Sequence, residues 1–97
     1  MPLSALELHQ RGVDAANSRR FAQARRALTT ASARTDDGDL RARIDGTMAY
    51  VLAQTGQPAE AERLSREALS RPGLSDETIA LANGQLGTLL MHNGRLD

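Results

Sequence analysis

The segment TGQPAEAERLSREALSRPG, residues 55–73, reads as one short helix with a stop signal at each end. Gly56 can take the left-handed conformation that ends a preceding helix, and Pro58 suits the first turn of the next one, where its missing N–H costs nothing. Pro72 and Gly73 then stop the helix. Because the segment holds no catalytic pattern, its turn residues predict a helix-turn-helix corner.

Outward from this corner, apolar residues recur at three- and four-residue spacing, and no segment alternates as a strand does. Ser4 and Glu7 form a capping box that opens a first helix to about Asn17. The pattern predicts an all-α chain. Its further helices are expected from Phe21 to before Thr35, then over about 40–55, 58–70 and 75–93, with the start of a sixth after Gly94.

Small residues recur in these helices at nearly constant spacing. Gly12, Ala49 and Gly87 follow one another at 37 and 38 residues, and the same offset brings Ala24 onto Ala61. Glycine inside a helix costs roughly 1 kcal/mol relative to alanine, so we interpret these positions as close crossings of paired helices. The alternative is that the alanines are simply good helix formers.

On these residues the chain resembles the tetratricopeptide repeat (TPR) family, although its period exceeds the roughly 34 residues of that family. The resemblance implies one all-α domain over 1–97, with antiparallel helix-turn-helix repeats stacked as a right-handed solenoid of about 2.5 repeats. Repeat 1 covers about 4–36, repeat 2 about 39–73 and a partial repeat 3 about 75–97. The residues that carry the pattern are Gly12, Phe21, Ala24, Ala31, Ala49, Gly56, Ala61, Ala68, Gly87 and Gly94.

The resemblance also implies a partner-binding groove along the first helix of each pair, and no catalytic activity in this chain. The Lys, Asn and Arg clamp with which chaperone-binding members hold a terminal carboxylate is absent, so a peptide or helix is the expected partner. A downstream segment of the same protein could fill the groove equally well. The predicted groove residues are Leu6, His9, Val13, Asn17, Tyr50, Ala53, Gln54, Leu81, Thr88, Met91 and His92.

The two ends of the array differ in polarity. The stripe that would face a preceding repeat is polar in the first unit and mostly apolar in the later two, so we expect the N-terminus to be a true end of the array. The apolar helix over 75–93 predicts either a longer chain or a homodimer. The residues expected to mediate self-association are Ile79, Leu86, Leu89 and Leu90.

Composition argues against a disulfide-stabilised protein, a cysteine-dependent enzyme, a Cys-ligated metal site and an aromatic platform that stacks on bases or sugars. The 97 residues contain no Cys, only two aromatic side chains and no Lys, and the net charge is zero. No stretch approaches the roughly 18 apolar residues of a membrane span, and the start lacks the pattern of a secretion signal, so a cytoplasmic location is expected. All basic residues are Arg, which is typical of a GC-rich, actinobacterial-like genome.

The sequence gives little support for a metal site, a cofactor site or a nucleic-acid interface. His9 and His92 lack acidic neighbours at a suitable spacing, so no metal and no cofactor are expected. Residues 1–34 carry a net charge of +4 and the remainder −4. The cluster of Arg19, Arg20, Arg25 and Arg26 could contact nucleic acid, although a solvated face is the more ordinary interpretation.

Two functional readings therefore remain. The favoured one is a protein-interaction scaffold. The alternative is the N-terminal regulatory segment of a larger enzyme, such as a bacterial CHAT-domain peptidase, whose longer repeats these resemble.

Overall fold

The computed structural model describes residues 2–92, which form five α-helices and no strand. The all-α prediction is confirmed, and each predicted helix is found close to its expected bounds. The sixth helix expected after Gly94 lies outside the described residues. The helices are α1 (Ala5–Asn17), α2 (Phe21–Ala33), α3 (Gly38–Gln54), α4 (Pro58–Leu69) and α5 (Asp76–His92).

Side-chain caps fix where the helices begin. Ser4 Oγ accepts from the Glu7 N–H at 3.1 Å while Glu7 Oε1 accepts from the Ser4 N–H at 3.0 Å, which completes the predicted capping box. Asp37 Oδ1 accepts from the N–H of Asp39 at 2.9 Å, and this cap starts α3 slightly earlier than the apolar pattern alone predicts.

The predicted corner between α3 and α4 is confirmed in detail. Gly56 has φ +84° and Pro58 occupies the first turn of α4, so the chain reverses as the glycine and proline require. Gly73, with φ +73°, lies in the turn after α4. The equivalent turn between α1 and α2 contains Arg19 instead of glycine, although its φ is +61°.

Consecutive helices pack on one another, and α3 also contacts both α1 and α5. One buried cluster joins the first helix pair to α3 through Ala16, Leu28, Ile44 and Val51. A second joins α3, α4 and α5. Its members are Ala49, Leu52, Ala61 and Leu89.

The small residues of the predicted repeat mostly lie at helix contacts. Five alanines of the pattern are completely buried, and Gly12 packs against Leu28 of α2. At Gly87 the described residues leave open space around a Cβ position, and the partner helix expected there falls outside residues 2–92. The buried alanines are Ala24, Ala31, Ala49, Ala61 and Ala68.

The molecule measures 48 × 31 × 17 Å along its principal axes. Within the described part of the chain, no helix combines the length and the apolar character that crossing a bilayer requires.

Candidate binding groove

A groove of about 670 Å³ runs along one side of the molecule. Within residues 2–92, every residue that lines it belongs to α1, α3 or α5, the first helices of the predicted pairs. Hydrogen bonds connect α1 to α3 and connect the start of α3 to the start of α5. His9 Nε2 lies 3.0 Å from Thr47 Oγ1, and the Ser75 N–H donates to Asp39 Oδ1 at 2.7 Å. Gln85 of α5 also lies against Gly46 in the middle of α3, so α3 and α5 run in the same direction.

The described lining combines apolar side chains with neutral hydrogen-bonding groups and includes no charged residue. Seven of its members were predicted from the repeat register: Val13, Asn17, Tyr50, Ala53, Gln54, Leu81 and Thr88. The others were not predicted: Ala16, Gly46, Thr47, Ala80, Gly84, Gln85 and Leu89.

Four predicted groove residues do not line this cavity. Leu6 and Met91 are 63 % and 67 % exposed and lie beyond its lining. The His9 ring is half-buried between α1 and α3. The side chain of His92 lies outside the described part of the structure.

His9 joins α1 to α3 at the edge of the groove. The Thr47 hydroxyl donates to the Arg43 carbonyl oxygen at 3.2 Å, so it can accept from the Nε2–H of His9. Burial of the ring lowers the pKa of His9, and the positive charge of Arg43 lowers it further. The neutral ring is therefore the favoured form in the folded protein.

A polar junction joins the N-terminal ends of α3 and α5. The Asp39 carboxylate accepts from the Ser75 N–H and, at 2.9 Å, from the hydroxyl of the buried Thr78. Arg43 Nε donates to Thr78 Oγ1 at 2.8 Å, and its Nη2 lies 3.8 Å from Glu77. The hydrogen bond from the Ser75 backbone is the main reason that the pKa of Asp39 is lowered.

Sequence reasoning missed this junction. Asp39 is separated from Ser75 and Thr78 by 36 and 39 residues, which brackets the repeat spacing. The available signal was polar residues recurring at that spacing in helix starts.

At the other end of the groove, the side chains of Arg19, Phe21 and Tyr50 contact one another in sequence. The Tyr50 ring is 40 % exposed and meets Phe21 edge-on, with ring centroids 6.5 Å apart and an interplanar angle of 64°. The Arg19 guanidinium carbon lies 5.4 Å from the Phe21 centroid. An arginine is thus connected to the groove through two aromatic rings.

Leu89, one of the residues expected to mediate self-association, is buried within the chain. Leu89 is only 6 % exposed, because α5 packs against α3 and α4 and buries it beside Leu52 and Ala61. Leu86 and Leu90 are half-buried, and Ile79 is exposed. The apolar residues of α5 are therefore divided between the core and the surface.

Two further features concern metal and anion binding. Among residues 2–92, no three His, Asp or Glu side chains lie close enough together to hold a metal ion. Arg19, Arg20, Arg25 and Arg26 are all exposed.

The chain matches no family model, no curated protein and no solved structure.

Proposed function

We propose that this chain is a TPR-like module that binds a peptide segment of another protein in the groove between α1, α3 and α5. The observation that carries the proposal is the groove itself, whose described lining comes from the first helices of the predicted pairs. Protein binding by this chain would then be a scaffold function that needs no catalytic residue.

The pattern of helix contacts supports the repeat interpretation. Each helix touches the next, and α3 also touches α1 and α5, as successive helix pairs in a stack would do. Hydrogen bonds that link the starts and middles of the first helices join residues 35–39 positions apart, a range that includes the spacings of 37 and 38 read from the small residues.

The chemistry of the lining suits a peptide. Val13, Ala53 and Leu81 offer apolar surface to side chains of the partner. Asn17 and Gln54 can each donate to and accept from a peptide backbone. Because no charged residue lies among the described lining, apolar burial and neutral hydrogen bonds would supply the affinity.

Two glycines of α5 provide a matched test. Among residues 2–92, nothing lies within 4 Å of a Cβ position at either glycine, and of the two only Gly84 lines the described groove. Gly84→Leu should fill the groove, whereas Gly87→Leu should leave it open. Each exchange also replaces glycine with a better helix former, so neither variant is expected to unfold α5.

The probe is a phage-displayed library of random peptides, selected on the wild-type protein. We expect the selected peptides to bind wild type and Gly87→Leu equally and to lose at least about tenfold in affinity on Gly84→Leu, which corresponds to about 1.4 kcal/mol. Failure to select any peptide, or equal binding to all three proteins, would overturn the proposal.

A further inference from the structure

We propose that the peptide bound in the groove carries acidic side chains beside its apolar segment, and that Arg19 and Arg20 bind them. This inference rests on the proposed function and names the chemistry of its partner. The two arginines lie in the turn between α1 and α2, separated by Ser18 from Asn17, which lines the groove.

Two ring contacts connect Arg19 to the groove. Its guanidinium lies over Phe21, and Phe21 meets Tyr50, a lining residue of the groove. Since a guanidinium stacked on a ring keeps its edge N–H groups free, Arg19 can still donate to a carboxylate. A peptide that leaves the groove past Tyr50 would therefore meet this positive charge.

The backbone of Arg19 supplies a second observation. Its φ of +61° lies in the region that favours glycine, and the turn is held by hydrogen bonds from Arg19 N–H to Ala16 at 3.0 Å and from Arg20 N–H to Ala15 at 2.8 Å. In the corresponding corner after α3, Gly56 takes the left-handed conformation. An arginine in this conformation is a strained choice that a functional side chain would explain.

The two ends of the groove differ in how their positive charges are paired. At the N-terminal ends of the helices, Arg43 already contacts Asp39 and Glu77. At the opposite end, Arg19 and Arg20 are exposed, and neither takes part in any ion pair found among residues 2–92. Arg19 and Arg20 thus place positive charge without an ion pair beside Asn17, and this charge is complementary to acidic side chains of a partner.

A peptide fits these features better than a nucleic acid does. Base stacking needs free aromatic faces, whereas Phe21 is half-buried between Arg19 and Tyr50. The neighbouring groove is lined by apolar, hydroxyl and amide side chains, which suit peptide groups.

The test uses the best peptide from the library selection, resynthesised with a flank of Glu, Gln or Lys at either end. The variant Arg19→Asn/Arg20→Gln removes both charges, with Asn chosen because it tolerates positive φ. The control Arg11→Gln/Arg26→Gln removes the same charge from exposed positions outside the groove lining. Arg26 lies five residues after Phe21, about 140° around α2, so its side chain leaves the helix on a different face from the Phe21 ring.

Binding is measured by fluorescence anisotropy at low and high salt. We expect the Glu-flanked peptide to bind wild type most tightly and to weaken roughly fivefold to tenfold on Arg19→Asn/Arg20→Gln, as for two partly exposed charge contacts. The Gln-flanked peptide should bind all proteins alike, and high salt should reduce the preference for Glu.

Equal binding of the Glu- and Gln-flanked peptides would overturn the inference while leaving the proposed function intact. An equal loss of affinity on the control variant would overturn it too. If a single-stranded oligonucleotide displaced the Glu-flanked peptide at lower concentration than the peptide's own dissociation constant, nucleic acid would replace the acidic peptide as the partner. Absence of binding by every peptide would overturn both proposals.

Discussion

The side chain of Leu28 packs directly against the backbone of Gly12, with Cδ2 only 2.6 Å from the position that a Cβ atom would take at Gly12. Leu28 is completely buried, so it has little room to withdraw. The contact explains why a glycine stands in the middle of α1, where it costs helical stability. It brings α1 and α2 close together in the first helix pair.

Gly12→Ala should therefore destabilise the protein. Overpacking a well-filled core costs about 1–3 kcal/mol, and the better helix propensity of alanine returns at most about 1 kcal/mol. We expect a net loss of roughly 1 kcal/mol in the free energy of unfolding, measured by urea denaturation followed by circular dichroism. An unchanged or increased free energy of unfolding would contradict the close packing seen at this residue.

Gly84→Ala should have the opposite effect. Gly84 lies inside α5, and a Cβ atom there meets no described residue within 4 Å. The exchange should raise the free energy of unfolding by about 0.5–1 kcal/mol, since alanine loses less conformational freedom than glycine on folding. The same denaturation experiment measures it, and a destabilised Gly84→Ala would show that the groove wall tolerates no added atom.

The Asp39 junction should make stability depend on acid pH. Its hydrogen bonds lower the pKa of Asp39 below its ordinary value of 3.8, so the ionised carboxylate stabilises the fold above about pH 4, and this contribution is lost as the pH falls through the folded-state pKa. Asp39→Ala should unfold at lower urea concentration than wild type at neutral pH, and the difference should shrink in acid.

Asp76→Ala is the matched control, because Asp76 is an exposed carboxylate in the first turn of α5. It should have a smaller effect than Asp39→Ala at neutral pH. A gap between wild type and Asp39→Ala that stays constant from neutral to acid pH would mean that the carboxylate charge contributes nothing.

His9 should give a second pH dependence, at higher pH. Burial lowers its pKa below the ordinary 6.5, so the unfolded chain takes up a proton first and stability falls as the pH drops below about 6.5. The groups that face the ring are the Thr47 hydroxyl and the charge of Arg43. His9→Gln should lose less stability than wild type between about pH 8 and about pH 5.

An NMR titration of the ring protons measures the pKa of His9 directly, with His9→Gln used to assign its resonance against that of His92. We expect a midpoint below the ordinary histidine value. A midpoint at or above that value would contradict the burial of the ring between α1 and α3.

The groove could be predicted only in part, for reasons that particular residues make clear. Val13, Tyr50 and Thr88 were placed in it because the repeat spacing puts them at equivalent positions of the first helices. Gly46 and Gln85 were missed, because their contact depends on how closely α3 and α5 approach. Leu89 was expected to mediate self-association, and the packing of α5 buries it within the chain.

The amino-acid sequence by itself determined the five helices and their ends. Ser4, Asp37, Gly56 and Pro58 act on backbone groups within a few residues of themselves, so their effect can be read locally. Only the tertiary structure decided which side chains meet at the Asp39 junction. Those contacts join residues 36 and 39 positions apart. Their geometry depends on the distance between packed helices, which local chemistry does not fix.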